Sequence, residues 1–396
     1  MKQILPAFLW LLACTGAFYG CKKDLPKGME PGYFKIYDDQ NAGNSYRMLD
    51  MQETADGGTL ILSELNHTRI HLTRVDKNGE YLTSAEITGG SKNPLPTLLH
   101  INDTYYVGCM DEVGLFTRFI KIDPGSCQPE SVVEFPDLLY PLAFSVAEGS
   151  SVLLLTYDRY GYKSQLSKVS PDGQVLWTVE ANVFQDTEAL IVNQLNGTGK
   201  RYPFFTLGWN GKYIANCFNN YSFSFLVFNA GSNAPDAIYN GSNFSSGVSA
   251  MYVLPDGSTA LSRFSFGRSY LIPAFVPASG AVDLTDNMGG ILVEEAESDS
   301  EFEFGTVTID GTPYFCYAHN TENGRVAVGF LSGGQLKAKK YFGSSNNTFK
   351  IGSFRATKDN GLLVAGSFWV AGAFPRPALF KLNEKELYEV MGLKYK

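Results

Sequence analysis

The chain has 396 residues, of which 44% are hydrophobic, 14% aromatic and 18% charged. This is too apolar for a disordered chain, and a formal charge of −8 argues against general binding to nucleic acid, which needs a basic face to displace counterions. Forty glycines, 18 prolines, 22 tyrosines and 28 phenylalanines favour strands and tight turns over helices.

In chain order, the first feature is a targeting segment. Lys2 precedes ILPAFLWLLA, Ile4 to Ala13, an apolar run of ten that is too short to span a bilayer and matches the core of a signal peptide. Two cysteines follow, in LLAC (11–14) and FYGC (18–21). A small residue before Cys resembles the lipobox of bacterial lipoproteins, which implies cleavage before the cysteine and lipidation of its thiol. Cys21 is the candidate, with residues 1–20 as the signal peptide and 21–31, CKKDLPKGMEP, as a polar tether. GCKKD is similar to the start of many lipoproteins of Bacteroidota. Cys14 is the alternative, since LLAC matches the lipobox better in isolation. Lys22, in place of Asp after Cys21, resembles an outer-membrane address, so the expected location is the outer membrane, held by a lipid anchor.

From residue 32 the chain repeats itself. Seven segments share a tight turn followed by a β-rich run: ADGGTLILS (55–63), INDTYYVGC (101–109), AEGSSVLLLT (147–156), WNGKYIANC (209–217), PDGSTALSR (255–263), IDGTPYFCY (309–317) and KDNGLLVAG (358–366). Asp-Gly and Asn-Gly supply the positive φ angles that hairpin turns require. About 20–24 residues after each comes a second turn: DKNG, DPG, SPDG, NAG, PASG, SGG and, without glycine, NEKE (383–386). Each unit therefore reads as a four-stranded antiparallel meander. A period near 46–62 residues with four strands per unit indicates an all-β, seven-bladed β-propeller of four-stranded antiparallel blades over 32–396. Insertions lengthen two units: FQDTEALIVNQLNGTGKRYP (184–203) and LVEEAESDSEFEF (292–304), the latter read as a solvated acidic loop. Two segments compete to close the ring as the outer strand of blade 7: Tyr33–Asp38 and ELYEVMGL (386–393).

The DGG turn, the apolar strand and a following K/R-hydrophobic-D-x-x-G turn, as in LTRVDKNGE (72–80), resemble the repeat-propeller lipoproteins of Bacteroidota, WD40-like at the level of fold. The resemblance spans roughly Tyr33 to Leu393 and implies fold and anchoring. It leaves the ligand open, because propellers host binding, scaffolding and catalysis alike. Trp177, in GQVLWTV, is the single position similar to the blade tryptophan of quinoprotein propellers, so no cofactor is expected.

The chain lacks G-x-S-x-G, H-E-x-x-H, G-x-G-x-x-G and C-x-x-C motifs, and no catalytic or metal residue is assigned. His67 and His71 have the spacing of a ligand pair but no third ligand in sequence. Cys109, Cys217 and Cys316 fall in second strands of alternate blades and read as buried free thiols, with Cys127 exposed in a turn. The candidate ligand face comprises the loops between second and third strands. These hold Arg69, Arg118, Arg159, Arg263, Arg268, Arg325 and Arg376, joined by Tyr160, Tyr162, Tyr221, Phe266 and Trp369. Arg and aromatic residues dominate binding hot spots and suit sugars or acidic polymers. The expected role is non-catalytic binding of a glycan or an envelope protein. The alternatives are a scaffold subunit of an outer-membrane complex and an envelope hydrolase or lyase, for which a carboxylate cluster near the axis would be the sign.

Overall fold

Paired turns at both ends of each repeat fold the chain into seven antiparallel sheets, as seen in a computed structural model that describes residues 30–395 apart from 185 and 299. The signal peptide, both candidate lipidation sites Cys14 and Cys21, and all of the tether but its last two residues lie outside the described residues. The Asp-Gly turns behave as their chemistry requires, with φ of 81° at Gly57 and 82° at Gly257, in the left-handed region that only glycine enters without cost.

Blade 1 comprises Tyr46–Glu53, Thr59–Leu65, Arg69–Val75 and Tyr81–Ile87. Blade 2 comprises Leu98–Ile101, Thr104–Asp111, Phe116–Ile122 and Pro129–Leu139. Its first strand is interrupted, and the short piece Ser91–Lys92 pairs beside it. Blade 3 comprises Pro141–Val146, Val152–Asp158, Lys163–Val169 and Val175–Asn182; blade 4, Phe205–Trp209, Lys212–Asn219, Ser222–Asn229 and Pro235–Asn240. Blade 5 comprises Ser246–Val253, Thr259–Ser265, Arg268–Phe275 and Ile291–Leu292; blade 6, Phe302–Ile309, Thr312–Asn320, Val326–Ser332 and Gln335–Phe342. Blade 7 comprises Phe349–Ala356, Leu362–Val370, Phe374–Leu382 and, from the other end of the chain, Tyr33–Ile36.

The hydrophobic core lies between blades. Each pair of neighbouring blades encloses its own apolar cluster, including Met48, Met51, Ile61 and Val75 of blade 1 against Leu363, Ala365 and Leu379 of blade 7. This explains why Thr59–Leu65 is buried along its whole length and does not alternate: both faces of the blade are covered.

Tyr33–Ile36 closes the ring, pairing antiparallel with Phe374–Leu382 in the register Tyr33 to Lys381 and Ile36 to Ala378. Phe34 stacks on Phe380 at 3.9 Å between centroids. The competing segment ELYEVMGL is not a strand. Asn383 and Glu386 form a capping box, and NEKE begins helix α2, Glu384–Val390, whose Leu387 is buried; the first helix, α1, spans Glu188–Leu195. The Asn383 side chain accepts from the Glu386 backbone N–H at 2.9 Å, and the Glu386 carboxylate accepts from that of Asn383 at 2.9 Å. Asn383→Ala is expected to cost about 1 kcal/mol, read as a shift in chemical denaturation midpoint with an unchanged slope.

Other expectations need correction. After the PASG turn the chain leaves its own blade: Val282–Leu284 pairs parallel with the outer strand of blade 4, and Ile291–Leu292 completes blade 5. The acidic insertion is not simply solvated. Glu295 is paired with Lys339 and accepts from Tyr341 Oη at 2.7 Å, and Glu297 meets Lys350 at 2.9 Å. Cys127 is buried, because its N–H bonds to the Asp123 carbonyl at 2.9 Å and turns the thiol into the cluster between blades 1 and 2. Burial pushes that thiol up to about 11, and those of Cys109 and Cys217 up to about 12. The four cysteines among the described residues are all free and buried.

Candidate functional site

First strands line the axis, and the loops between second and third strands share one face of the ring with the connections between blades. Every loop candidate falls on or beside this face, yet the arginines do not converge there. Arg69 pairs with Glu86 at 2.8 Å, and Arg159 with Glu188 at 3.1 Å, which docks the start of helix α1. Arg118 is held by Asp111 at 2.7 Å and Glu134 at 2.8 Å. Arg263 and Arg376 are 5% and 2% exposed, contrary to a ligand-contacting role. Arg263 binds Asp286 at 3.1 Å and the Gly289 carbonyl at 2.6 Å. Arg376 donates to Asp38 at 2.6 Å and to the carbonyls of Asn41, Asn44 and Pro375. Arg325 lies over the Tyr341 ring at 4.3 Å. Arg268 alone of the seven is exposed without an ion-pair partner among the described residues.

The aromatic candidates fare differently. Tyr160 is 81% exposed and Phe266 71%, with Tyr162 and Tyr221 also exposed. Phe184, in the insertion, joins them 5.9 Å from the Tyr221 ring. Blades 3, 4 and 5 thus carry a consecutive arc of solvent-facing rings. Trp369 stands apart, half-buried at the mouth of the central opening.

That opening is the feature the repeat pattern did not reveal. A funnel of about 430 Å³ on the loop face continues into an axial cavity of about 350 Å³, and the two share Arg47, Met48, Glu64, Arg201 and Glu301 in their walls. Arg201 comes from the 184–203 insertion, which crosses the mouth from the side of blades 3 and 4. Its Gly197 lies so close to His67 of blade 1 that a Cβ there would overlap the imidazole. Arg47 contacts Glu64 at 3.5 Å and Glu301 at 3.3 Å, and Arg201 contacts Glu64 at 3.7 Å. Enclosure first, and the neighbouring Arg47 guanidinium second among the lowering influences, hold Arg201 below the usual arginine range. The available signal for Arg47 and Glu301 was a charge near the start of a first strand. Arg201 sits in an insertion with no counterpart in the repeat, so its position was not readable.

Asp50, buried three residues past Arg47 on the first strand of blade 1, whose Arg47, Met48 and Leu49 wall the axial cavity, is locked. It receives Arg355 Nη2 at 2.9 and 3.1 Å and the backbone N–H groups of Met51 and Leu98 at 2.8 Å each. Glu303, on the first strand of blade 6, lines the same cavity with no hydrogen bond or ion pair to its side chain among the described residues. Its enclosure, reinforced by the Asp50 charge, pushes its carboxyl up to about 8. His67 and His71 do not act together: His67 lines the funnel, whereas His71 packs edge-on against Tyr46 at 5.1 Å and is held below its usual range by burial. No group of three His, Cys, Asp or Glu among the described residues is arranged to hold a metal ion.

No family model matches the chain, and no curated protein matches it either. Solved structures similar to it include a protein of unknown function from Bacteroides caccae (14% identity over 55% of this chain and 70% of that one, TM-score 0.34). The Dos1 propeller matches at 9% identity over 85% of this chain and 79% of that one, TM-score 0.47. Hsv2 of Kluyveromyces lactis matches at 9% identity over 86% and 100%, TM-score 0.43. Likenesses of this depth say nothing of ligand or activity.

Proposed function

We propose that this protein is a non-catalytic binding module of the bacterial cell envelope, held to the outer membrane by a lipid on Cys21, whose loop face binds a glycan. The observation that carries the reading is the arc of exposed rings on blades 3 to 5 beside a polar funnel with Trp369 at its edge. Solvent-facing Tyr and Trp rings offer flat apolar platforms at low entropic cost, and the funnel supplies hydrogen-bonding groups of both polarities. Anchoring rests on the lipobox-like sequence around Cys21 and on the resemblance to repeat-propeller lipoproteins.

Two observations favour other roles. The exposed apolar side chains of Val113, on the neighbouring blade 2, and of Phe184 within the arc suit a protein partner, which is the scaffold reading. Glu303 is a carboxyl of raised pKa in a cavity, as an acid catalyst would be. Against a two-carboxylate hydrolase, Asp50 is fully engaged by Arg355 and two backbone donors, and Glu301 contacts Arg47.

A glycan array and a whole-envelope pull-down, run side by side, test the reading. A polysaccharide bound by the protein, with affinity lowered about tenfold or more (~1.4 kcal/mol) in Trp369→Ala or Tyr160→Ala and no turnover of the sugar, supports it. A silent array with one membrane protein recovered reproducibly makes the protein a scaffold. Release of shortened sugar, abolished in Glu303→Gln, makes it an enzyme.

A further inference from the structure

Eleven arginines are present, seven of them the loop candidates and two, Arg47 and Arg201, in the funnel wall, and the structure separates them by how much of their hydrogen-bonding capacity is used. A guanidinium carries five N–H donors. Arg376 makes four hydrogen bonds and Arg118 makes four. The rim pairs of Arg69, Arg118, Arg159, Arg263 and Arg376 close to between 2.6 and 3.1 Å. Arg47 and Arg201 are different. Among the described residues Arg47 makes one hydrogen bond, to Glu301 at 3.3 Å, and its contact with Glu64 is 3.5 Å; the single ion-pair contact of Arg201 among them, to the same Glu64, is 3.7 Å. Both side chains are about a third exposed (31% and 32%), into the funnel and not to the outer surface.

We infer that Arg47 and Arg201 form an oxyanion subsite at the centre of the funnel, taking the carboxylate or sulfate ester of an acidic sugar. Two guanidinium groups reach this point from distant parts of the ring, blade 1 and the crossing insertion, and share one buried carboxylate, Glu64. Bringing two like charges together in a partly enclosed space is unfavourable unless anions complete the site. Glu64, shared at 3.5 and 3.7 Å, and Glu301, at 3.3 Å from Arg47, complete it only through long contacts. An incoming oxyanion supplies short, charge-assisted bonds to donors that have no hydrogen-bond partner among the described residues, in the forked geometry guanidinium favours. Lys350 and Glu297 at the same mouth already pair with each other at 2.9 Å, so they do not cancel the Arg47–Arg201 pair. Glu64 and Glu301 keep the empty funnel close to neutral. They set the acidic sugar's advantage over its neutral analogue at a moderate level, about tenfold.

The subsite rests on the glycan reading, and its test is made on separate probes. Calorimetric titration of the protein with D-glucuronate, glucose 6-sulfate and glucose compares carboxylate, sulfate ester and neutral sugar directly. The expected result is saturable binding of at least one acidic sugar, at least tenfold tighter than glucose, reduced tenfold or more in Arg201→Gln and Arg47→Gln. Lys337→Gln, which removes a charge from the outer strand of blade 6, is expected to leave it unchanged. Preference for glucuronate assigns a carboxylate, and preference for glucose 6-sulfate a sulfate ester. Equal binding of the three sugars, absence of acidic-sugar binding up to tens of millimolar, or equal losses in Arg201→Gln and Lys337→Gln overturns the subsite. A neutral polysaccharide bound on the array with no acidic preference here overturns the subsite alone. A silent array with acidic monosaccharides bound through Arg47 and Arg201 overturns the extended glycan reading and keeps the anion site.

Discussion

Arg376→Met is expected to destabilise the protein by about 3–5 kcal/mol, the largest effect among the loop-face arginines. Arg376 lies in the third strand of blade 7, 2% exposed, and holds the segment between the closing strand and blade 1: Asp38 at 2.6 Å, the Asn41 carbonyl at 2.8 Å and the Asn44 carbonyl at 2.6 Å. The change removes a buried cation whose partners are an acid and three carbonyls, so the cost includes the groups left unpaired. Those groups tie Tyr33–Ile36 to its sheet, and with the closing strand loosened blade 7 exposes an edge. Arg69→Met, which breaks a half-exposed pair with Glu86, is the control and is expected to cost 1 kcal/mol or less, on the order of other surface pairs. Denaturant unfolding with both variants checks this. Equal midpoints for the two would remove Arg376 from its role in closure.

Glu303→Gln is expected to change how stability depends on pH. In the folded protein the carboxyl is pushed up to about 8 from a usual 4.5, so the native state binds this proton more tightly than the unfolded chain. Its contribution is fully present below about 4.5 and is lost as pH rises through about 8. The difference amounts to several kcal/mol, on the order of 1.4 per pKa unit. Gln is neutral at every pH and keeps the size of the side chain, so the variant should lose less stability than the parent between pH 5 and pH 9. Denaturation midpoints at pH 5, 7 and 9 measure it. Parallel profiles for parent and variant would show that Glu303 is ionised without penalty and that the cavity is wetter than its walls indicate.

The repeat was legible because its chemistry is local. Asp-Gly at residues 56–57 and 256–257 makes a turn wherever it occurs between β-rich runs, and regular spacing of such turns leaves radial packing as the arrangement that covers both faces of every blade. The exposed rings were legible for a similar reason. Tyr160 and Phe266 sit at turn tips, and a tip projects into solvent whatever blade it belongs to.

Pairing between distant residues was not legible. Whether NEKE turns a hairpin or caps a helix depended on the outer place in blade 7 being already filled by Tyr33–Ile36, more than 340 residues earlier in the chain. Arg376 and Arg201 look alike in sequence, each a basic residue near a loop. The fold brings Asp38 and two carbonyls to the first, and brings the second across the ring to Arg47 with one shared glutamate. The sequence by itself determined the period, the turns and therefore the propeller. Tertiary structure alone decided which charges are neutralised by partners and which face the funnel, because electrostatic pairing depends on through-space distances that a repeat pattern does not encode.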